Sequence, residues 1–403
     1  MVAWGCFTAI ASCYWVVQWL ILARVLREVP RLEDLPPAGA AAGPRVSAIL
    51  TARNEAASLE EAVRARLEEE YANLELVIVD DRSTDETPQR ADRLAAANPR
   101  VKVVHLTELP AGWLGKLNAL AQGVAHSAGE WLLFSDADVA VRSGVLGPLL
   151  AYCERRRLDH CVVLPRLLPV NPLLDCLTSV FARIIALNLR QWAIEDPASS
   201  ASVGIGAFNL VRRSALERSP GLAWLKMEVA DDLTLGQMLK ATGARQSVVN
   251  GAARVDLTFH PTLRDALVSA ERATFTAIGN FSLVRLVALA LASLALEGSA
   301  LISLALAPNL LAAAGSCLVA LLALATQLRS NRWQLRGSWN LVLLPFAELL
   351  MAYSQLRSGV LGTLRGGIQW RGTFYSNAEL KAGRRFGTSW GTLRGQETTS
   401  RSG

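Results

Sequence analysis

The sequence predicts an α/β protein: a doubly wound, mostly parallel sheet with helices on both faces, held in a membrane by apolar segments at either end. Three observations point there. Strand-like and helix-like runs alternate between Arg45 and Asp136, 51% of the 403 residues are hydrophobic against 19% charged, and residues 2–23 carry no charge. That balance is too apolar for an ordinary soluble domain, and alternating strands and helices build parallel sheets sandwiched by helices.

Each element has its own reason. The uncharged run at residues 2–23 has the roughly 20 residues that cross a bilayer as a helix. No basic region precedes it, so it reads as a retained anchor rather than a cleaved leader. Arg24, Arg27 and Arg31 follow directly, which by the positive-inside rule sends the downstream chain to the cytoplasm. The stretch 33–44, EDLPPAGAAAGP, is a proline- and glycine-rich linker. Residues 45–51 then read as a strand, and Leu59, Val63 and Leu67 fall at helical spacing. LELVIVD at 74–80 is the second strand, with a helix expected to open near the capping residues Ser83 and Thr84. VKVVHL at 101–106, a helix over about 115–127, and EWLLFSD at 130–136 continue the alternation. Residues 171–192 are apolar but carry Asp175, Arg183 and Arg190, a pattern that suits a helix in the membrane interface, with a buried core helix as the rival.

Three further apolar segments come late, at about 283–307, 309–328 and 338–356, the first two forming a hairpin through the membrane. Glu297 and Glu348 lie inside apolar segments, facing either a bundle interior or the interface. The last segment has Pro345 and Glu348 near its middle and Arg357 close behind. It is expected to lie in the interface or re-enter, which keeps the basic residues of the tail on the cytoplasmic side. The expected division is an anchor at 1–27, a linker at 28–44, one α/β domain at 45–280, membrane segments at 281–360 and a flexible basic tail at 361–403. Six scattered cysteines contain no CxxC pair and the four histidines are dispersed, so neither a disulfide framework nor a histidine-based metal site is indicated.

Ligands of such sheets bind beyond the carboxyl ends of the strands, where loops and helix N-termini converge. The acids fall there: Asp80 and Asp81 end the second strand, and Asp136 and Asp138 end the fourth. Aspartates two apart on extended chain face one side. Their repulsion is relieved by a cation, and magnesium is commonly held by one or two carboxylates plus substrate phosphates. A solvated turn is the plainer alternative. Asp231 and Asp232 stand before an apolar-periodic helix that ends at Gly243, where they would also serve as favourable N-terminal charges.

ILTARNEAASL, LVIVDDRSTDET, GWLGKLNAL, LLFSDADV and EVADDLTLGQMLKATGA occur in this order. Together they resemble the family 2 glycosyltransferases, which have the GT-A fold and use nucleotide-sugar donors. The resemblance covers about residues 45–280 and, with the terminal apolar segments, looks most like the membrane enzymes that glycosylate lipids, including ceramide glucosyltransferase-like and hopanoid-associated members. It implies that Thr51, Arg53 and Glu55 lie around the nucleoside, with Asp80 or Asp81 accepting from uracil or ribose. Lys116 would approach the diphosphate, and Asp136 and Asp138 would hold Mg2+ or Mn2+ on it, Asp138 more directly. Asp232 would be the base, and Asp231 stands where the family often has glutamate. Gly206 in SVGIGAFNLVRRSAL would permit close approach on the acceptor side.

The sequence departs from the family at its QxxRW motif. SAERA at 269–273 keeps only Arg272, and Trp370 and Arg371 in IQWRGTFY resemble a tail motif of some lipid glycosyltransferases, or else form an interfacial anchor. This weighs against a polysaccharide synthase, while the retained acids weigh against an inactive scaffold. The expected protein is an inverting hexosyltransferase of the inner membrane, multi-pass, with a cytoplasmic catalytic domain. It would move sugar from a nucleotide-sugar donor, a UDP-sugar, to a lipid acceptor, with no nucleic-acid partner.

Overall fold

A computed structural model of the chain describes residues 2–37, 43–136 and 139–387. Helix α1 (Val2–Glu28) leads to β1 (Val46–Ala52), after which α2 (Leu59–Leu67), β2 (Leu74–Asp81), α3 (Thr87–Ala97), β3 (Val101–Leu106), α4 (Gly115–Ala125) and β4 (Trp131–Phe134) alternate. There follow β5 (Val139–Val141), α5 (Leu146–Arg156), β6 (His160–Leu164), β7 (Arg166–Leu167), α6 (Pro172–Asn188), β8 (Asn209–Arg212) and α7 (Arg213–Glu217). α8 (Asp231–Ala241), β9 (Gln246–Asn250) and β10 (Val255–Leu257) complete the domain. The rest comprises α9 (Leu263–Ala273), α10 (Leu283–Glu297), α11 (Ser299–Ala305), α12 (Leu310–Trp333), α13 (Leu344–Leu364), β11 (Gly367–Trp370), β12 (Thr373–Ser376) and α14 (Asn377–Gly383).

Seven strands form one sheet in the order β3-β2-β1-β4-β8-β6-β9. β1 and β2 are buried along their whole length, as strands covered on both faces must be, and both read as near-continuous apolar runs. β3 lies at the edge and leaves Lys102 and His105 exposed. The sheet is parallel from β3 to β4, while β8 runs antiparallel to both β4 and β6, so it is mostly parallel, as expected. A side sheet, β5-β10-β7, and the hairpin β11-β12 are separate.

Other expectations change. α3 opens at Thr87 with proline in its first turn, not near Ser83, because the Ser83 hydroxyl accepts the Asn54 backbone N–H instead. The start of the expected linker packs on the domain: Arg31 bridges to Asn250, and Leu32 packs in the main core with Val46 and Leu76. The tail is not loose as far as the structure describes it. Ile368, Tyr375 and Leu380 pack with Leu225 and Leu235 in the core beneath α4 and α8, and Glu228 accepts the backbone N–H of Arg385 and Phe386. The hairpin and α14 are therefore docked on the α/β domain.

Among the described residues, three helical segments are each long and apolar enough to cross a membrane: Val2–Glu28, Pro172–Ala193 and Leu310–Trp333. The expected segment 283–307 is split at Gly298 into α10 and α11, and α10 makes a 105° bend with the preceding helix. α13 is not among the three; it packs against α10, α6 and α9. α6 is more deeply held than an interfacial helix. Arg183 is 1% exposed and pairs with Glu297, which also accepts from Tyr14, while the Arg183 Nε donates to Gln327 at 2.6 Å. A buried arginine needs such partners, and α1, α10 and α12 supply them from far along the chain.

Candidate active site at the carboxyl edge of the sheet

The carboxyl ends of β1 and β4 and the N-termini of α4 and α8 meet in one cleft, lined by Thr51, Lys116, Asp136, Gly206, Asn209, Asp231 and Asp232. Lys116 stands in the first turn of α4, where the helix dipole disfavours a cation. Carboxylates hold it there: its Nζ lies 3.0 Å from Asp136 Oδ1 and 3.5 Å from Asp231 Oδ2. Burial opposes the lysine charge, yet Asp136, Asp231 and Asp232 together outweigh it and push its pKa up.

Asp232 is fixed by the backbone. Its Oδ2 accepts from Gly206 N at 2.8 Å and its Oδ1 from Leu233 N at 2.7 Å. Burial and then the neighbouring Asp231 carboxylate push its pKa up to about 6, against Lys116 and the two N–H donors. A carboxylate poised there is ionised at neutral pH and basic enough to take a proton.

The glycines of SVGIGAFN explain how these groups come so close. A Cβ on Gly204 would fall 1.8 Å from the Asp232 carbonyl oxygen, so only glycine lets this segment lie on α8. Gly206 links both halves of the site, because its carbonyl accepts from Asp136 N at 3.2 Å while its N–H holds Asp232. A Cβ there would come 2.8 Å from Asp136 Oδ2 and 3.5 Å from Lys116 Nζ. The space beside Asp136 Oδ2 thus depends on the missing side chain, and a free carboxylate oxygen facing that space suits a hard divalent cation completed by phosphate oxygens. Asp138 lies outside the described residues. Among the described residues no three acids, histidines or cysteines group into a metal site of their own.

Other predicted residues gather elsewhere. Asp81 is fully buried and ringed by arginines: Arg82 Nε at 2.8 Å from its Oδ1, and Arg371 and Arg53 at 3.6 and 3.9 Å from its Oδ2. Burial, then repulsion from Arg82 and Arg371, lowers the pKa of Arg53. Arg371, expected on the acceptor side, thus stands beside a residue expected to meet the nucleoside. Asp80 is turned away, accepting from Ser83 N at 3.2 Å and pairing with His105 Nδ1 at 3.1 Å. Glu55 accepts from the Ser58 hydroxyl ahead of α2. Arg272 lies over the Trp370 ring, 5.6 Å from its centroid.

Two residues escaped the sequence reading. Arg82 pairs with Asp81, and Arg66, 3% exposed on α2, donates to Ser135 Oγ and to the Asp136 carbonyl, both at 2.8 Å. Arg66 falls on the same helical stripe as Leu59, Ala62 and Val63, and a cation on an apolar stripe was the clue.

Residues 47–219 match the family described as Glycosyl transferase family 2. Beta-monoglucosyldiacylglycerol synthase of Nostoc sp. is 29% identical over 196 residues, covering 48% of this chain and 40% of that protein. Glycosyltransferase AglD of Haloferax volcanii is 36% identical over 113 residues, covering 27% of this chain and 18% of its own. The chain spans less than half the length of the curated relatives it matches. Among solved structures, the mannosyltransferase PcManGT from Pyrobaculum calidifontis, in complex with GDP-Man and Mn2+, superposes with a TM-score of 0.52 at 18% identity, over 89% of this chain and 99% of that one. That likeness shows a shared fold. The matched residues include Lys116, Asp136 and Gly206, while Asp231 and Asp232 lie beyond them. Residues 47–219 thus resemble glycosyl transferase family 2, in a GT-A-like fold set among membrane-type helices.

Proposed function

We propose that the protein is an inverting glycosyltransferase that moves a sugar from a nucleotide-diphosphate donor to a hydroxyl of a membrane lipid. The observation that carries this reading is the cleft in which Lys116, held by Asp136 and Asp231, stands beside an Asp232 fixed by two backbone N–H groups. Lys116 is a point charge for the donor diphosphate. Arg53, Arg82 and Arg371, three guanidiniums against the one carboxylate of Asp81, add positive charge at the same edge. Asp136, and Asp138 by sequence, would hold Mg2+ or Mn2+ against the diphosphate. Such an ion stabilises negative charge on the leaving group.

Asp232 takes the proton of the acceptor hydroxyl at its carboxylate as that oxygen bonds to the anomeric carbon. The bond from this carbon to the diphosphate oxygen breaks, and its electron pair leaves with the nucleotide. One base and no dedicated donor-side nucleophile among the described residues support a single displacement with inversion. The lipid acceptor is supported by the three apolar helices and by the name of the Nostoc relative. The arginines after α1, with the domain-docked tail, support an inner-membrane protein with its catalytic domain in the cytoplasm.

Incubating membranes that contain the protein with a panel of labelled nucleotide sugars, and identifying the glycolipid formed, tests the reading. An α-linked donor should yield a β-glycoside by NMR. Retained configuration would sink the mechanism, and the absence of any labelled lipid across the panel would sink the function.

A further inference from the structure

A second, larger cavity of about 550 Å³ opens between α9, α13 and β11, within the roughly 300–1,000 Å³ of small-molecule sites. Its lining mixes two kinds of side chain. Leu267, Val268 and Leu361 are apolar, and Val268, with Val360 and Leu364 beside Leu361 and Arg365 on α13, stays exposed as apolar residues of a membrane-facing surface do. The others are largely basic. Four arginines line it, Arg264, Arg272, Arg357 and Arg365, against the single carboxylate of Glu271. Glu271 is taken by Arg357 and by Arg365, the latter at 2.9 Å. Arg264 and Arg272 have no carboxylate partner among the described residues.

A lining of apolar side chains interleaved with two guanidiniums that lack a carboxylate partner suits an anionic amphiphile, since arginine forks bind phosphate and carboxylate and basic pockets between membrane helices take lipid head groups. The cavity also adjoins the donor side through three consecutive residues. Gln369 lines it, Trp370 lies under the Arg272 guanidinium, and Arg371 stands 3.6 Å from Asp81 Oδ2. A passing membrane phospholipid would have no need of that continuity.

We infer that this cavity seats the acceptor lipid, and that the acceptor carries, besides its reacting hydroxyl, an anionic phosphate or carboxylate bound by Arg264 and Arg272. The inference rests on the lipid-acceptor reading above. Lipids from the cells that make the protein, separated by anion exchange, provide the test, with the full chain in detergent and a labelled nucleotide-sugar panel. Acceptor activity should elute with the anionic lipids. The Arg264→Gln/Arg272→Gln variant should raise the KM for that fraction at least tenfold with the donor KM unchanged, and the Arg→Lys pair should recover part of the loss. Arg264→Gln alone, at an exposed side chain, guards against misfolding. In native mass spectrometry the wild type should retain dioleoylphosphatidylglycerol over dioleoylglycerol, and the double variant should not. Acceptor activity in the neutral fraction, or equal retention of the two probes, overturns the inference. So does an anionic lipid that binds at the arginines and speeds transfer to a neutral lipid without taking sugar itself. Failure to bind or hydrolyse any nucleotide sugar would instead remove the parent reading.

Discussion

Asp232→Asn separates catalysis from stability at one atom. The pKa of Asp232 is pushed from 3.8 to about 6, a rise of about two units, which at 1.36 kcal/mol per unit is about 3 kcal/mol. The folded pKa lies above the unfolded one, so folding binds the proton. The stability this contributes is fully present below about pH 4 and is lost as pH rises through about 6. Asparagine has no charge to bury, so the variant should not show this loss. Its amide matches one of the two backbone donors, Gly206 N or Leu233 N, and leaves the other facing an NH2 group, at a cost of about 1–3 kcal/mol. That cost is the same at every pH, so comparing wild type and variant across pH isolates the charge. Thermal unfolding of the detergent-solubilised chain should show wild type losing up to about 3 kcal/mol relative to Asp232→Asn between about pH 4 and 8. In the same preparations the variant's turnover should fall by about 10²–10⁴, the usual worth of a general base. The wild-type kcat/KM should decline below about pH 6, with donor KM nearly unchanged in the variant. Parallel pH–stability curves would refute the buried-charge argument, and turnover within tenfold of wild type would refute the base assignment.

Lys116→Met should raise the donor KM strongly and move the acidic limb of the pH profile upward, because Lys116 holds the Asp232 pKa down; steady-state kinetics across pH checks both. Gly204→Ala should cost about 1–3 kcal/mol or more in thermal stability, since its Cβ would meet the Asp232 carbonyl at 1.8 Å. Gly206→Ala should leave the fold largely intact but weaken metal-dependent donor binding, measured by titrating Mn2+ or Mg2+ after chelation, as its Cβ crowds Asp136 Oδ2 at 2.8 Å. A single cysteine at Ala378, in a cysteine-free background, should react with a membrane-impermeant thiol reagent only after cells are permeabilised; labelling of intact cells would place the hairpin and α14 outside.

Much of this was legible in the chain itself. Burial on both faces requires unbroken apolar strands, so β1 and β2 announced a covered sheet, and the acids at strand ends marked the ligand edge before any contact was known. The 3.6-residue period before Gly243 placed Asp231 and Asp232 at a helix start, as α8 confirms. Local pattern could not go further, because it carries no information on what lies opposite. Tertiary structure alone brings Arg371 some 290 residues along the chain to Asp81, turns Asp80 away to His105, and gives Arg183 its partner Glu297. It also reverses β8 between β4 and β6, since strand direction depends on how the chain returns and not on the strand's residues. Gly206 shows the division most clearly. The sequence shows a glycine-rich run, and only the fold makes its C=O accept from Asp136 and its N–H donate to Asp232, while the space a side chain would fill belongs to Asp136 and Lys116, far earlier in the chain.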